Sequence, residues 1–183
     1  MEDREAICRL REGDLNGLEA LVRRYQVQAL RAAFLVTRDV AMAEDVVQET
    51  FLRLARSADR LDPARPIAPY LFRSVINAAL NALRDEKRAV GTAARLVEAE
   101  TLLQRAESVE SEVQQTLLAE AVQEALTHLT PRQRAVIVQR YYLEMNEREM
   151  AHALGVSQGT IKRLLYNARA HLRHLLHREE CES

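Results

Sequence analysis

The sequence has few residues that break helices and few cysteines. Only five of its 183 residues are glycine and four are proline, whereas Leu, Ala, Arg and Glu, which lose little rotamer freedom in a helix, are abundant. We therefore expect an all-α fold. The two cysteines, Cys8 and Cys181, stand far apart and form neither a CxxC pair nor a disulfide framework, as is usual for proteins of a reducing compartment.

Long apolar runs are also missing. No run approaches the ~18 apolar residues of a membrane span, and residues 1–11 are charged and lack the apolar core of a signal peptide. We therefore expect a cytoplasmic protein with no membrane insertion. The sequence also has no Gly-rich phosphate loop, nucleophile elbow or convincing acid–base pair, so we expect neither an enzyme nor a bound cofactor.

Net positive charge is absent from the chain as a whole. Its 26 basic and 27 acidic residues leave a net charge of −1, which by itself argues against a nucleic-acid partner. The charge is segregated, however: residues 1–88 carry +1, 89–125 carry −5, 131–178 carry +6 and 179–183 carry −3. The +6 block predicts a DNA-binding unit joined to a part of the chain with a different task.

Apolar periodicity and turn signals divide the chain into two small helical domains. The first, residues 1–88, contains three predicted helices: one that Asp14 caps and that carries Leu15 and Leu21 toward the core, one from about Asp39 to Ala58, and one from about Tyr70 to Arg88. Three prolines between residues 63 and 69 separate the last two. The third helix carries an apolar stripe at Leu71, Val75, Ile76, Ala79, Leu80 and Leu83. Residues 89–112 are small and acidic and predict a linker with only partial helix. Residues 113–183 predict a second helical domain, with initiation signals at Thr130-Pro131, Asn146 and Ser157.

The second domain contains a helix-turn-helix pattern over residues 147–165. Gly155 suits the left-handed conformation that ends the first helix, Ala151 allows close helix contact, and Ser157 caps the second helix. The shared core is expected to consist of Met150, Leu154, Val156, Ile161 and Leu164. An ordinary helical hairpin with a solvated basic face is the alternative. The spacing of these three residues inside the +6 segment favours a recognition helix in the major groove. The residues expected near base edges and phosphates are Ser157, Gln158, Thr160, Lys162, Arg163, Tyr166 and Arg169. Arg132, Arg134 and Arg140 are expected either to add phosphate contacts or to be solvated.

A second informative helix covers residues 43–56. Its core face is Ala43, Val47, Phe51 and Leu54, and its opposite face carries Asp45, Gln48, Glu49, Leu52 and Arg56. An apolar Leu52 among charged residues suggests a protein interface. On the helix pattern alone, a single exposed leucine on a solvated face is the favoured interpretation.

Four segments in this order resemble the extracytoplasmic-function class (group IV) of the sigma-seventy family of bacterial sigma factors. They are residues 43–54 (AEDVVQETFLRL), 69–77 (PYLFRSVIN), 129–136 (LTPRQRAV) and 150–162 (MAHALGVSQGTIK). The resemblance implies an alternative sigma factor that binds core RNA polymerase and directs initiation at promoters with minus-thirty-five and minus-ten elements.

The resemblance also implies partners and residue roles. Asp45, Gln48 and Glu49, with Leu52 beside them, would bind the coiled coil of the β′ clamp, and the β flap is a further expected contact. The minus-ten candidates are Tyr70, Arg73, Asn77 and Arg84, with the loop over residues 57–69 as a pocket for an unstacked base. The helix-turn-helix would read the minus-thirty-five element, and an anti-sigma factor is expected to control the protein.

The sequence departs from the family pattern at four positions. Tyr70 stands in place of a tryptophan and Asn81 where an aspartate is common, while Leu164 and Asn167 occupy positions that are usually arginine. The recognition helix should therefore depend on its remaining basic residues and on polymerase. In the family the linker threads toward the RNA exit channel, and here its negative charge is compatible either with mimicry of nascent RNA or with a solvated tether.

Two further hypotheses can be compared with this one. A response-regulator-type repressor would share the C-terminal motif, but residues 1–120 show no strand–Asp pattern of a receiver domain. His171, His174, His177 and Cys181 fall on one side of the last predicted helix and have the chemistry to ligate a metal. An exposed, fraying tail explains the same pattern, and we expect no metal site.

Overall fold

The computed structural model describes residues 1–89 and 122–182, and the side chains of residues 1–88 and 122–175. Every regular element in these ranges is helical, which confirms the predicted all-α class. The elements are α1 (Asp3–Arg11), α2 (Leu15–Thr37), α3 (Val40–Arg56), a short 3-10 turn (Ala58–Arg60), α4 (Ile67–Ala89), α5 (residues 122–127), α6 (Pro131–Ile137), a π-helical turn (Val138–Tyr142), α7 (Glu147–Leu154) and α8 (Gln158–Glu182).

Two predicted helix starts in the N-terminal half are confirmed by their caps. The Asp14 carboxylate accepts the backbone N–H of Asn16 at 2.9 Å, and the Asp39 carboxylate accepts that of Met42 at 2.8 Å. Each satisfies a backbone donor that the first turn of a helix leaves without a partner. These caps fix where α2 and α3 begin, and α3 then ends at Arg56, close to its predicted end.

Helix α4 begins earlier than the prolines suggested. It starts at Ile67, so that Pro69 lies in its first turn rather than ahead of it. The backbone nitrogens of a first turn have no partner within the helix, and a proline there sacrifices no hydrogen bond. The loop ahead of α4 is therefore limited to residues 61–66, which contain two of the three prolines.

The apolar stripe predicted for the third helix is confirmed. Leu71, Val75, Ile76 and Ala79 are buried, and Leu80 and Leu83 pack partly buried against the same cluster. This cluster also contains Leu21 of α2 and Phe51 of α3. Helices α2, α3 and α4 thus share one core, and the polar sides of α3 and α4 are left facing outward.

Helix α1 was not predicted, and it packs on α2 where Gly17 lies. A Cβ atom at Gly17 would come within 2.3 Å of the Ala6 carbonyl oxygen, so the close approach of the two helices requires glycine. Leu15, expected in the core, is 69% exposed. As the first residue of α2 it points away from the core that Leu21 enters.

The C-terminal helices have their own core and strong start signals. Thr130 and Gln133 form a capping box at α6, with Pro131 in the first turn, and Asn146 and Glu149 form another at α7. The predicted core residues Met150 and Ile161 are fully buried, with Leu154, Val156 and Leu164 packed against them. Both start signals and this core confirm the sequence prediction.

Candidate functional site

The outward face of α3 presents the four residues predicted to bind polymerase. Asp45, Gln48 and Glu49 are exposed, and Leu52 is 41% exposed although it is apolar. The predicted core face of the same helix, from Ala43 to Leu54, is buried. The structure therefore brings the four predicted residues together on one solvent-facing surface.

Charge on this α3 face is only loosely organised. The Glu49 carboxylate lies 3.8 Å from the Arg53 guanidinium and 3.7 Å from that of Arg56. Exposed pairs of this length contribute little stability, so a partner can replace them at small cost. The face combines one exposed leucine with acidic and amide groups that are able to accept hydrogen bonds.

The four minus-ten candidates lie along one side of α4. Tyr70, Asn77 and Arg84 are each seven residues apart, which is close to two helical turns, so they lie on the same face of the helix. Arg73 lies between Tyr70 and Asn77. Tyr70 is 46% exposed and Arg84 is exposed, so both are accessible. Arg73 and Asn77 are half-buried because α7 lies against them. The four are adjacent, but two of them already have partners within the chain.

The turn of the helix-turn-helix has the geometry that its sequence predicted. Gly155 ends α7 in the left-handed region, with φ +64°, and the Ser157 hydroxyl accepts the Thr160 backbone N–H at 3.1 Å. The same hydroxyl is 3.0 Å from that of Thr160. These bonds fix the start of α8, while Gln158 is left exposed at its N-terminal end.

The outer face of α8 is basic and accessible. Lys162, Arg163 and Arg169 are exposed, and Tyr166 is 70% exposed. On the opposite side Ile161, Leu165 and Ala168 are buried. A buried stripe thus anchors the helix and leaves cations and an aromatic ring turned outward, as contacts to phosphates and base edges require.

Two neighbours of this basic face were not predicted. The Tyr141 ring lies under the Arg169 guanidinium, 5.6 Å from its centre, and the Glu147 carboxylate lies 3.7 Å from the Lys162 ammonium. Both belong to elements that precede α8 and lie beside its cations. The adjacent tyrosines at 141 and 142 were a sequence signal for the first of these contacts. Neighbouring residues of a helix point in different directions, so the side of the helix that faces the core cannot bury both rings.

The three arginines upstream of the helix-turn-helix have different positions. Arg132 and Arg140 are exposed. Arg134 is only 8% exposed, with its Nε donating to the Val36 carbonyl at 2.8 Å and its Nη1 donating to the Leu129 carbonyl at 3.0 Å. The expectation that Arg134 contacts phosphate or is solvated is wrong, because it is buried at a contact between the two halves of the chain.

Other expectations fall partly or wholly outside the described residues. His171 and His174 are exposed, whereas the side chains of His177 and Cys181 lie beyond those described. Among the side chains that the structure describes, those of residues 1–88 and 122–175, no three His, Cys, Asp or Glu are arranged to hold a metal ion. The predicted linker, 89–112, lies outside the described residues except for its first position. None of the described helices is both long and apolar enough to cross a membrane.

Comparison with known proteins shows the family to which this chain belongs. The model of sigma-70 region 2 matches residues 21–89, which include all of α3 and α4. The model of sigma-70 region 4 matches residues 119–172, which include the helix-turn-helix. The ECF RNA polymerase sigma factor SigL of Mycobacterium tuberculosis is 34% identical over 155 residues, which are 84% of this chain and 85% of that protein. The chain belongs to the extracytoplasmic-function (ECF) class of the sigma-70 family.

Other relatives of this ECF sigma factor extend the match along the chain. The ECF sigma factor SigM of Bacillus subtilis is 27% identical over 161 residues, covering 88% of this chain and 96% of the relative. Among solved structures, CnrH in complex with the cytosolic domain of CnrY has a TM-score of 0.64 at 28% identity, covering 95% of this chain and 96% of CnrH. The resemblance stated from the four sequence segments is thereby confirmed at the level of the ECF class, and with it a role in promoter-directed transcription initiation.

Proposed function

We propose that this protein is a group IV sigma factor that acts in the cytoplasm, has no catalytic activity of its own and carries core RNA polymerase to a defined set of promoters. The observation that carries the proposal is the presence in one chain of an exposed polar face on α3 and an exposed basic face on α8. One face suits a protein partner and the other suits duplex DNA. A chain that places polymerase on DNA needs both.

The α3 face is proposed as the contact for the coiled coil of the β′ clamp. Asp45, Gln48 and Glu49 supply acceptors and an amide, and Leu52 supplies apolar area that water otherwise covers. Interfaces of this type take most of their affinity from a few residues that become fully desolvated. The C-terminal helices are proposed to contact the β flap in the same complex.

The basic face of α8 is proposed to read the minus-thirty-five element. Its N-terminal residues, from Ser157 to Thr160, lie at the end that a helix-turn-helix inserts into the major groove. Lys162 and Arg163 follow on the outer face, where they can reach base edges or phosphates, and Tyr166 and Arg169 continue that face. The positions that lack arginine, Leu164 and Asn167, reduce the number of available cations, so that affinity for DNA depends on polymerase.

The α4 face is proposed to hold the minus-ten element after the strands separate. An unstacked base requires an aromatic surface or a hydrogen-bonding edge to compensate the lost stacking. Tyr70 provides the ring, Asn77 the amide, and Arg73 and Arg84 the charge for the phosphates. All four lie on one side of the same helix.

Regulation by an anti-sigma factor is part of the proposal. The related CnrH was solved in complex with the cytosolic domain of CnrY, and it matches this chain over 95% of its length. We extend the same mode of control to this protein. The division into residues 1–88, a linker over 89–112 and a C-terminal domain over 113–183 is likewise proposed.

Run-off transcription tests the proposed function. Core polymerase and genomic DNA fragments are incubated with and without the protein, and the transcripts are sequenced from their 5′ ends. We expect discrete transcripts that need both core and the protein, preceded by shared sequence near minus-ten and minus-thirty-five. If no transcript depends on the protein, the proposed function is wrong.

A further inference from the structure

The cations on the outer face of α8 differ in what lies beside them. Lys162, Arg163, Arg169 and Arg173 are all exposed. Among the described residues, Lys162 alone of these four has a carboxylate within 4.0 Å, that of Glu147 at 3.7 Å. Within this part of the chain, the charge of Lys162 is therefore offset locally and the charges of the three arginines are not.

Glu147 belongs to the helix that precedes the turn. It is the first residue of α7, where the positive end of the helix dipole favours a carboxylate. Asn146 caps this helix, and its side chain accepts the backbone N–H groups of Arg148 and Glu149, each at 3.0 Å. The cap fixes the start of α7, and the Glu147 side chain is half-buried there beside α8.

The ion pair lies in a groove that continues along α8. Lys162 is the fifth residue of α8, near the end that a helix-turn-helix places in the major groove. Arg169 and Arg173 lie about two and three turns further along the helix. In the proposed orientation the paired cation is thus the one nearest the base edges. The residues that line the groove are Glu147, Lys162, Leu165, Tyr166, Arg169 and Arg173.

An ammonium beside a carboxylate distinguishes a base edge from a phosphate. The Lys162 Nζ and Glu147 Oε2 atoms are 3.7 Å apart, which is longer than a hydrogen bond, so the three N–H donors stay available. A phosphate is an anion, and the Glu147 carboxylate repels it, which offsets part of its attraction to the ammonium. The O6 and N7 acceptors of guanine carry no net charge and can accept a lysine N–H without that repulsion. The pair therefore favours base edges over the DNA backbone.

Arg169 has the opposite kind of neighbour. Its guanidinium lies over the Tyr141 ring, 5.6 Å from the ring centre. A ring on the flat face of a guanidinium leaves the donors at its edge free and does not cancel its charge. Tyr141 is 59% exposed and belongs to the π-helical turn, a type of element that is frequent at functional sites. Arg169 therefore suits a phosphate, whereas Lys162 suits a base edge.

We propose that Glu147 is a specificity-determining residue of the minus-thirty-five surface. By pairing with Lys162 it directs this cation to base edges and lowers the affinity of α8 for duplex DNA that lacks the element. Glu147 is a positioning residue, since it acts on DNA through Lys162. Specificity is a ratio of affinities, so weaker binding to the wrong sequence raises it. The proposal rests on the assignment of α8 to duplex DNA.

Binding of the holoenzyme to two labelled duplexes tests this role. One duplex carries the minus-thirty-five element of a promoter found by run-off transcription, and the other has the element scrambled between the same flanks. Glu147→Gln removes the charge and keeps the size of the side chain. It should raise the affinity for the scrambled duplex about threefold, within the range of exposed ion pairs, and leave the affinity for the element nearly unchanged. Anisotropy measures both.

The salt dependence of the same measurement reports the freed cation. In Glu147→Gln the slope of log affinity against log salt for the scrambled duplex should steepen by up to about 0.9, because Lys162 can then bind a phosphate. A purely structural role of Glu147 would not add a phosphate contact. Glu144→Gln, which removes an exposed carboxylate that does not line the groove, is the matched control and should change neither affinity nor slope.

A double-mutant cycle shows whether the effect passes through Lys162. Lys162→Met removes the ammonium and keeps the apolar stem, so that Glu147→Gln should leave the ratio of affinities unchanged in this background. An unchanged ratio for Glu147→Gln alone, or the same fall in the Lys162→Met background, would overturn the proposal. Affinities that rise equally for both duplexes would overturn it too, since Glu147 would then repel DNA without selecting it. In each of these cases transcripts that depend on the protein persist, whereas their absence would refute the proposed function.

Discussion

The outward faces of α3 and α4 differ in what covers them, although the two helices are neighbours in one core. On α3, Asp45, Gln48 and Leu52 are exposed. On α4, Arg73 and Asn77 donate to groups of α7. The surface proposed for polymerase is thus ready in the free chain, whereas the surface proposed for melted DNA is occupied.

The largest expected effect comes from truncating side chains on the exposed face of α3. Asp45→Ala combined with Gln48→Ala should weaken binding to core polymerase by at least about 30-fold, because truncating the hot-spot residues of an interface costs about 2 kcal/mol or more. Binding of labelled protein to immobilised core measures it. Glu19→Ala with Gln28→Ala, a similar change on the exposed side of α2, serves as control. Unchanged affinity in the α3 variant would show that this face is not the polymerase interface.

The next effect distinguishes the α4 face, which α7 partly covers, from the exposed α3 face. Asn77→Ala should lower run-off transcription about tenfold, since losing a side chain that hydrogen-bonds a base costs about 1–3 kcal/mol, while affinity for core is unchanged. The two assays are run on the same preparation. A loss of core affinity that matches the loss of transcription would mean that α4 and α3 do not have separate tasks.

A smaller effect is expected on the outer face of α8, the second surface proposed for DNA, which is exposed. Arg163→Ala should weaken promoter binding by the holoenzyme several-fold and, if its contact is to a phosphate, lower the salt slope of log affinity by about 0.9. Arg11→Ala, an exposed arginine of α1, should change neither quantity. A salt slope that stays the same while affinity falls would indicate a base contact instead.

The smallest effect concerns the turn at Gly155, which sets the orientation of α8 relative to α7. Gly155→Ala should lower the melting temperature by about 2–4 °C, because a left-handed backbone costs an L-residue about 1 kcal/mol or more. There is open space around a Cβ at this position, so that the loss is one of backbone strain alone. Gly155→Asn should lose less, since asparagine tolerates this conformation. Equal melting temperatures for glycine and alanine would mean that the turn relaxes without cost.

Local features were predictable from the sequence, and contacts between distant residues were not. The caps at Asp14 and Asn146 and the left-handed Gly155 depend on neighbours within a few residues, so that spacing alone identifies them. The core faces of α3 and α4 follow from helical periodicity in the same way. These are the elements that position both proposed surfaces, and their placement agrees with the prediction.

The docking of α7 on α4 had no sequence signal. The bond from Asn77 to Ala153 joins residues 76 positions apart and uses a backbone carbonyl, which any residue supplies. From its own segment Arg134 is likewise predicted to lie on the surface. Its burial is favourable because the C-terminal end of α2 supplies a carbonyl oxygen that accepts a hydrogen bond from it. Helix α1 was not predicted because its sequence is short and charged. The helix is stabilised mainly by packing against α2 at Gly17.

The most direct test of the whole account is a footprint on a promoter identified by run-off transcription. The same fragment is probed with the protein alone, with core polymerase alone and with both together. The account predicts protection that includes the minus-ten and minus-thirty-five elements, with reactive unpaired bases at minus-ten, only when both proteins are present. Protection of a discrete site by the protein alone, unchanged by core, is the behaviour of a repressor and would contradict it.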